Sequence, residues 1–147
     1  MKNILITGGT GFIGSNLAIK LSKEKNYKIT IVDNLSREGS EKNKSLLKGE
    51  NIVFNNIDVR NYSEIEKLLI DNQFDNIFHF AAQVAMTESI QNPKEDMEIN
   101  FLSTFNLLES IRKFSKETVL VYTSSNKVYG DLSWDKFSKN DTRYIST

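Results

Sequence analysis

The chain has 147 residues, of which 39% are hydrophobic and 26% charged, a balance typical of one globular domain with a real core. Its 19 basic and 19 acidic residues cancel, so we expect no basic surface for nucleic acid or for an anionic membrane. It has no cysteine and one histidine, which excludes disulfides, a thiolate site and a multi-histidine metal site. It also has no apolar run long enough for a membrane span or a signal peptide, so we expect a cytoplasmic, metal-free protein that acts on small molecules.

The first predicted strand, at residues 4–6, leads into a glycine-rich turn and then a helix. Helical spacing of Ile13, Leu17 and Leu21 predicts the apolar face of that helix. The turn contains four glycines within seven residues, at Gly8, Gly9, Gly11 and Gly14. This order of strand, glycine turn and helix is the context that a dinucleotide-binding fingerprint requires.

The glycines in this turn have separate physical tasks. Gly8 lets the chain leave the strand with a positive φ, Gly11 lets a pyrophosphate approach the backbone, and Gly14 lets the helix lie close to the strand. The helix that begins near Phe12 and Ile13 then directs free amides and its positive dipole end at the phosphates. We therefore predict that these five residues bind a dinucleotide; the alternative is a tight turn without a ligand.

The second predicted strand, at residues 28–33, ends in Asp33. A carboxylate at this position accepts hydrogen bonds from the adenosine ribose and repels a 2′-phosphate, which favours NAD over NADP. The alternative is an acid that caps a loop. Arg37 leaves NADP open, because a nearby arginine can neutralise a phosphate.

The following elements alternate between helix and strand. A short helix is expected near Leu46, a third strand at residues 52–54 and a fourth at 76–80. Between these two strands, Ser63 and Glu66 have the form of a capping box before a helix with an apolar face. The members of that face are Ile65, Leu68 and Leu69.

The longest predicted helix begins at Asn92 and Pro93, which suit its cap and first position. Its apolar stripe is predicted to pack in the core, and consists of Met97, Phe101, Phe105 and Leu108, continued by Ile111 and Phe114. A fifth strand follows at 119–122, and no periodic pattern is present from residue 132 onward. The alternation predicts a parallel α/β sheet of about five strands, and the glycine fingerprint indicates a three-layer, Rossmann-type, doubly wound domain, in which the strand order is 3-2-1-4-5.

Three weaker candidates lie at or after the later strands. Asp58 and Val59 follow the third strand, where an Asp and the next amide could bind adenine, but a turn-forming Asp is an equal alternative. Small residues at Ala81, Ala82 and Gln83 follow the fourth strand, where a dinucleotide would cross the sheet. The single histidine, His79, is interpreted as a packed structural residue.

Taken together, these motifs resemble the extended short-chain dehydrogenase/reductases, the NAD-dependent nucleotide-sugar epimerases and dehydratases. The matching segments are 7–14 (TGGTGFIG), 32–36 (VDNLS), 58–60 (DVR), 79–83 (HFAAQ), Asn100, 123–125 (TSS) and 128–130 (VYG). Within the family, 83–87 (QVAMT) and 125–131 (SNKVYGD) look like the CDP-tyvelose (CDP-paratose) 2-epimerase branch. The dehydratases carry an Asp-Glu pair where this chain has Asn126 and Lys127, which argues against dehydration.

The resemblance implies bound NAD and a redox epimerisation, in which a sugar carbon is oxidised, the ketone turns over and the hydride returns. It implies that Asn34 joins Asp33 at the cofactor, and that Asn100 supports the cofactor from the long helix. Ser125 would be catalytic by bonding the reacting hydroxyl, and Thr87 and Asn126 would contact the sugar of a CDP-sugar or another nucleotide-sugar. A UDP-glucose 4-epimerase, a dehydratase-family fragment and a non-catalytic NAD sensor are the alternatives.

The family's catalytic Tyr-x-x-x-Lys is missing from the chain, because none of its five tyrosines has a lysine four residues later. Residues 1–147 therefore resemble only the NAD-binding Rossmann domain, without the catalytic segment and the substrate lobe. The fifth strand would keep an unpaired edge, so self-association into a homo-oligomer is expected.

We expect no epimerase activity from the 147-residue chain alone, because the tyrosine base and its lysine are absent. The measurement is incubation of the purified chain with NAD and a CDP-sugar, followed by separation of the epimers. Turnover above a no-protein control would contradict this expectation.

Overall fold

Five parallel strands form the centre of the protein. The structure is a computed structural model, and it describes residues 1–125 and 133–146. The strands are β1 (Lys2–Thr7), β2 (Tyr27–Asp33), β3 (Ile52–Asn56), β4 (Asn76–His79) and β5 (Val119–Tyr122). They pair in the order β3-β2-β1-β4-β5, all in parallel. The predicted fold class, sheet and strand order are confirmed.

Helices cover both faces of the sheet. They are α1 (Phe12–Ser22), α2 (Ser40–Leu46), α3 (Tyr62–Asp71), α4 (Met86–Gln91), α5 (Pro93–Met97) and α6 (Ser103–Phe114), with a π-helical segment (Glu98–Leu102) joining the last two. The sequence did not indicate α4 or the antiparallel hairpin of β6 (Phe137–Lys139) and β7 (Tyr144–Ser146). Within the described residues, no helix has the length and apolar character that crossing a bilayer requires.

Among the described residues, the core consists of two apolar clusters, one on each face of the sheet. Ile4 and Ile6 point to the layer that contains Ala18 of α1. Leu5, between them, points to the opposite layer, where Leu69 of α3 and Leu107 of α6 lie. This alternation along β1 is what a strand buried on both faces requires.

The first helix lies close to the sheet through small residues, and Leu17 and Leu21 of its predicted apolar face pack against the core cluster that contains Ala18. Its buried residues are Gly14, Ser15 and Ala18. Ile13, predicted on the packed face, is 57% exposed. That part of the prediction is wrong, because the face that packs at the start of α1 is the one of Gly14, where a Cβ would collide with the backbone of Gly8 and Gly9.

The predicted capping box before α3 is also wrong. The helix begins at Tyr62, so Asn61 rather than Ser63 stands at its N-cap. The Asn61 amide donates to the Glu64 carboxylate at 2.6 Å, and the Ser63 hydroxyl donates to the Asn61 side-chain oxygen at 2.9 Å. The side chains bond to one another, and none caps the helix backbone.

The apolar stripe of the long helix does not pack in the core as predicted. The four stripe residues between 47% and 66% exposed are Met97, Phe101, Phe105 and Leu108. Ile111 packs against the core, whereas Phe114 is 41% exposed. The buried positions of α6 are Ser103, Leu107 and Ser110. The two serine hydroxyls donate to carbonyls one turn earlier, so they lie in the core without unpaired polar atoms.

We predict that Ile77→Ala lowers the free energy of unfolding by about 3 kcal/mol, because it leaves a cavity in the layer between β4 and α6. Ile77 is 0% exposed and belongs to that core cluster. The measurement is urea unfolding followed by circular dichroism.

The matched control is Ile70→Ala on α3, where the side chain is 55% exposed. It should change stability by no more than about 0.5 kcal/mol. Equal losses in the two variants would contradict the described core.

Candidate functional site

A cleft of about 520 Å³ opens where β1, β2 and β4 end. The strand order reverses here, since β1 continues to β2 on one side and to β4 on the other. In open α/β sheets, ligands bind outside the carboxyl ends of the strands at such a reversal. The volume lies within the range of about 300–1,000 Å³ that small-molecule sites occupy.

The glycine turn forms the floor of the cleft and requires close backbone approach. Gly8 has φ of 66°, and a Cβ there would lie 2.6 Å from the Ala81 amide nitrogen. A Cβ on Gly14 would lie 2.3 Å from the Gly8 carbonyl oxygen. Gly11 stands at the N-cap of α1 without a side-chain cap, and the first turn of the helix contains no acid. The first amides of α1 therefore have no acceptor within the helix, and no acid in the first turn opposes the positive end of the helix dipole.

Asp33 braces the glycine turn from the end of β2. One carboxylate oxygen accepts from the Thr10 amide at 3.0 Å, and the other accepts from the Leu35 amide at 2.9 Å. From α2, the Asn43 side chain donates to the Thr10 carbonyl at 2.8 Å. Thr10 is among the residues around the cleft, and its buried hydroxyl has no hydrogen-bond partner within the described part of the chain.

Asp58 lies in the cleft wall with both carboxylate oxygens in use. It accepts from the Arg60 amide and guanidinium at 2.7–3.0 Å and from the Asn34 side chain at 2.8 Å. The hydrogen bond from the Arg60 side chain is the main cause that lowers the pKa of Asp58 to about 2. Arg60 also pairs with Glu95 of α5 at 3.2 Å. The carboxylate is thus ionised and held in one orientation.

The opposite wall is the segment 81–83, which follows β4. The Asn100 side-chain oxygen accepts from the Gln83 amide, and its amide group donates to the Gln83 carbonyl, both at 2.9 Å. Asn100 lies in the π-helical segment, a geometry that is frequent at functional sites. Across the cleft, the Arg37 guanidinium donates to the Gln83 side-chain oxygen at 3.3 Å.

Behind this wall lies His79, which is 2% exposed. Its Nδ1 is 2.6 Å from the Thr7 hydroxyl oxygen and its Nε2 is 3.2 Å from the Thr104 hydroxyl oxygen. Burial lowers the pKa of His79 from 6.5 to about 4, so the ring is neutral at pH 7. Among the described residues, no three His, Asp or Glu side chains are placed to hold a metal ion.

The structure brings most of the predicted cofactor residues to the cleft. Those that line it are Gly8, Gly11, Phe12, Ile13, Gly14, Asp33, Asn34, Asp58, Val59, Ala81, Ala82 and Gln83. Asn100 lies behind Gln83. Thr87, in the first turn of α4, and Ser125, after β5, are exposed, and neither is among the described lining residues. Asn126 lies outside the described residues.

Sequence reasoning missed other residues that line the cleft. They include Thr10, Ser36, Asn43, Ile57, Val84, Ile99 and Thr123. Asn43 is 33 positions from the Thr10 carbonyl that it contacts, so no local pattern indicates it. Thr10 carried a signal, since it lies between Gly9 and Gly11 of the fingerprint.

The chain is similar to proteins described as sugar-nucleotide dehydratases and epimerases. A family model described as GDP-mannose 4,6 dehydratase matches residues 5–145. CDP-paratose 2-epimerase from Salmonella typhi is 44% identical over 142 residues, which are 96% of this chain and 42% of that enzyme. These findings confirm the resemblance read from the motifs.

Solved structures agree in fold. The UDP-Glc/GlcNAc 4-epimerase from Campylobacter jejuni superposes with a TM-score of 0.79 at 31% identity, over 88% of this chain and 39% of the other. The UDP-glucose-4-epimerase from Stenotrophomonas maltophila, solved with bound NAD and formylated UDP-arabinopyranose, gives 0.74 at 29% identity over the same shares. The chain thus spans about two fifths of the length of the relatives it matches.

The buried histidine predicts a pH dependence of stability. The unfolded imidazole binds a proton below about pH 6.5, whereas the folded one stays neutral down to about pH 4. The unfolded state gains protons in this interval, so stability falls as the pH falls. We expect a loss of about 2 kcal/mol in the free energy of unfolding between pH 7 and pH 5, measured by urea titration.

The control is His79→Gln, which has no titrating ring. Carboxylates titrate mostly below this interval, so the variant should lose most of the slope even if it is less stable at both pH values. The same slope in both proteins would contradict the assignment.

Proposed function

Because this chain belongs to the GDP-mannose 4,6-dehydratase family, we propose that it binds NAD in the cleft and forms the cofactor-binding part of a nucleotide-sugar epimerase. The observation that carries the proposal is the uncapped start of α1, opened by glycines and facing a cleft that ends at Asp33. Gly8 and Gly14 let the turn, the helix and the peptide between residues 80 and 81 pack closely, and Gly11 at the N-cap presents no side chain, so a pyrophosphate would be able to approach the first amides of α1.

The five residues of the glycine turn and helix start would bind the diphosphate. Their amides supply donors and the helix dipole supplies a positive potential, with no acid in the first turn to oppose it. Phe12 is 83% exposed at this mouth, so its side chain leaves the backbone accessible.

Asp33 and Asn34 would bind the adenosine ribose, and Asp58 and Val59 would lie against adenine. Asp58 already accepts four hydrogen bonds, so an adenine amino group would have to replace one from Asn34 or Arg60. The Val59 amide remains the simpler contact for a ring nitrogen. Asp58 would then contribute mainly by fixing the loop that carries this amide.

Ala81, Ala82 and Gln83, supported by Asn100, would line the passage of the cofactor towards the reacting sugar. NAD supplies a hydride acceptor that is restored when the hydride returns to the sugar carbon. Ser125 would hydrogen-bond the reacting hydroxyl, and Thr87 and Asn126 would contact the sugar. The base that removes the hydroxyl proton would come from a Tyr-x-x-x-Lys that this chain does not contain.

The substrate we favour is a CDP-sugar inverted at C2, supported by 44% identity to CDP-paratose 2-epimerase. A UDP-hexose 4-epimerase is the second candidate, favoured by the fold of the Campylobacter jejuni enzyme. A non-catalytic NAD sensor remains an alternative, and a Tyr-x-x-x-Lys encoded after codon 147 would argue against it. We further propose a cytoplasmic location. We also propose a homo-oligomer, since β5 is an outer strand among the described residues and its free edge could pair with a second copy.

The test is calorimetric titration of NAD and NADP into the chain and into Asp33→Ala. We expect the NAD dissociation constant to rise at least about tenfold in the variant, because a charged hydrogen-bond acceptor is lost. The affinity for NADP should fall far less, because the variant also loses a charge that repels the 2′-phosphate. Equal NAD affinities for the two proteins would contradict the assignment of Asp33 to the ribose. If the variant lost affinity for NAD and NADP by the same factor, Asp33 would act only by holding the Thr10 amide.

The matched control is Asp75→Ala. Asp75 also accepts from a backbone amide, that of Asn3 at 2.7 Å, but it precedes β4 and so lies at the amino ends of the strands, opposite the cleft. The NAD affinity of the Asp75→Ala variant should stay within about twofold of that of the unmodified chain. A loss as large as that of Asp33→Ala would show that the effect is not local.

A further inference from the structure

A closed circuit of hydrogen bonds lies behind the segment 81–83. It begins at the Ala81 amide, which donates to the Thr7 hydroxyl oxygen at 3.3 Å. The Thr7 hydroxyl oxygen is hydrogen-bonded to His79 Nδ1, and His79 Nε2 is hydrogen-bonded to the Thr104 hydroxyl oxygen. Thr7 and His79 are direct neighbours in the register of β1 and β4, so the two side chains lie side by side on one face of the sheet.

The circuit continues along the long helix and returns to the same segment. The Thr104 hydroxyl donates to the Asn100 carbonyl at 2.8 Å. The Asn100 side chain binds both the amide and the carbonyl of Gln83. Ala81 and Gln83 are joined through Ala82, so the circuit is closed and holds this wall of the cleft at both ends.

Between the Ala81 amide and the Asn100 carbonyl, each group donates to the next one along the circuit. A carbonyl oxygen only accepts, so the single hydroxyl proton of Thr104 is used on Asn100 at 2.8 Å, the shorter of its two contacts. Thr104 therefore faces His79 with a lone pair, and Nε2 is the atom that carries the ring proton. The bare Nδ1 then accepts from the Thr7 hydroxyl, whose oxygen accepts from the Ala81 amide.

We propose that His79, as the neutral Nε2–H tautomer, positions residues 81–83 as one wall of the dinucleotide cleft. The inference rests on the proposed function, since it names the residue that holds a wall of that site. His79 is not on the cleft lining and acts through Thr7 and Thr104. It is therefore a positioning residue, which is more than the packed structural role expected from the sequence.

The first experiment reads the tautomer directly. His79 is the only histidine in the chain, so the imidazole nitrogen signals of a ¹⁵N-labelled sample need no assignment by mutation. At pH 7 we expect one protonated nitrogen, Nε2, and an unprotonated Nδ1 with the shift of a hydrogen-bond acceptor. A Nδ1–H tautomer, or a mixture in fast exchange, would overturn the proposal, and no variant is needed for this reading.

The second experiment compares Thr104→Val, which keeps the shape but removes the hydroxyl, with Thr104→Ser, which keeps the hydroxyl. For Thr104→Val we expect NAD binding to weaken about threefold to tenfold, the scale of one lost hydrogen bond, together with loss of the pure Nε2–H signal. Amide exchange at Ala81 and Gln83 should also become faster. Thr104→Ser should restore all three readouts to within about twofold of the unmodified chain.

The outcomes separate this inference from the function on which it rests. If the unmodified chain bound no NAD, the proposed function would be wrong, and the tautomer and the amide exchange would still decide whether His79 holds the segment. If NAD bound but the two Thr104 variants matched in affinity and exchange, the positioning role would be refuted while the NAD site stood.

Discussion

The approach of the turn after β1 to the end of β4 is the contact on which the rest of the site depends. Gly8 lies against the peptide between Phe80 and Ala81, where a Cβ would be 2.6–2.7 Å from backbone atoms. No side chain fits between the two segments, so the amides at the start of α1 lie directly opposite the segment 81–83. One cleft with backbone amide donors on one side and small residues on the other follows from this single contact.

The features that the sequence predicted correctly are those with local causes. The glycine spacing determines a turn over a few residues, and a buried parallel strand appears as a short apolar run whatever packs on it. The strand order follows from alternating strands and helices together with the family resemblance. The position of Asp33 at the end of β2 is likewise a local feature, and in the structure its carboxylate accepts from the Thr10 amide of the glycine turn; its contact with the ribose stays a prediction.

The features that the sequence predicted wrongly depend on partners distant in the chain. Helical spacing marked Phe101 and Phe105 as a core face, but the sheet and α3 receive the opposite face, where Ser103 and Ser110 pack closely. Period alone cannot decide which of two faces is buried when the polar one satisfies its hydroxyls on its own helix. The contacts of Asp58 with Arg60 and Asn34 likewise could not be predicted from local sequence, while the contact of Asp58 with adenine stays a prediction.

His79 shows how such a distant partner could be inferred from the sequence. Phe78 and Phe80 pack on the opposite layer, so the residue between them points towards α6. A phenylalanine would be easier to bury there, since an imidazole loses hydration at both nitrogens unless each finds a partner. Both partners exist: Thr7 is its register neighbour, and Thr104 lies one turn after Asn100.

Such a network is favourable only when every member is satisfied, because each missing partner leaves a buried polar group at a cost of about 1–3 kcal/mol. A lone histidine inside an apolar strand, with a threonine at the end of the neighbouring strand, therefore indicates a hydrogen-bonded pair at the carboxyl edge of the sheet, where the cleft lies.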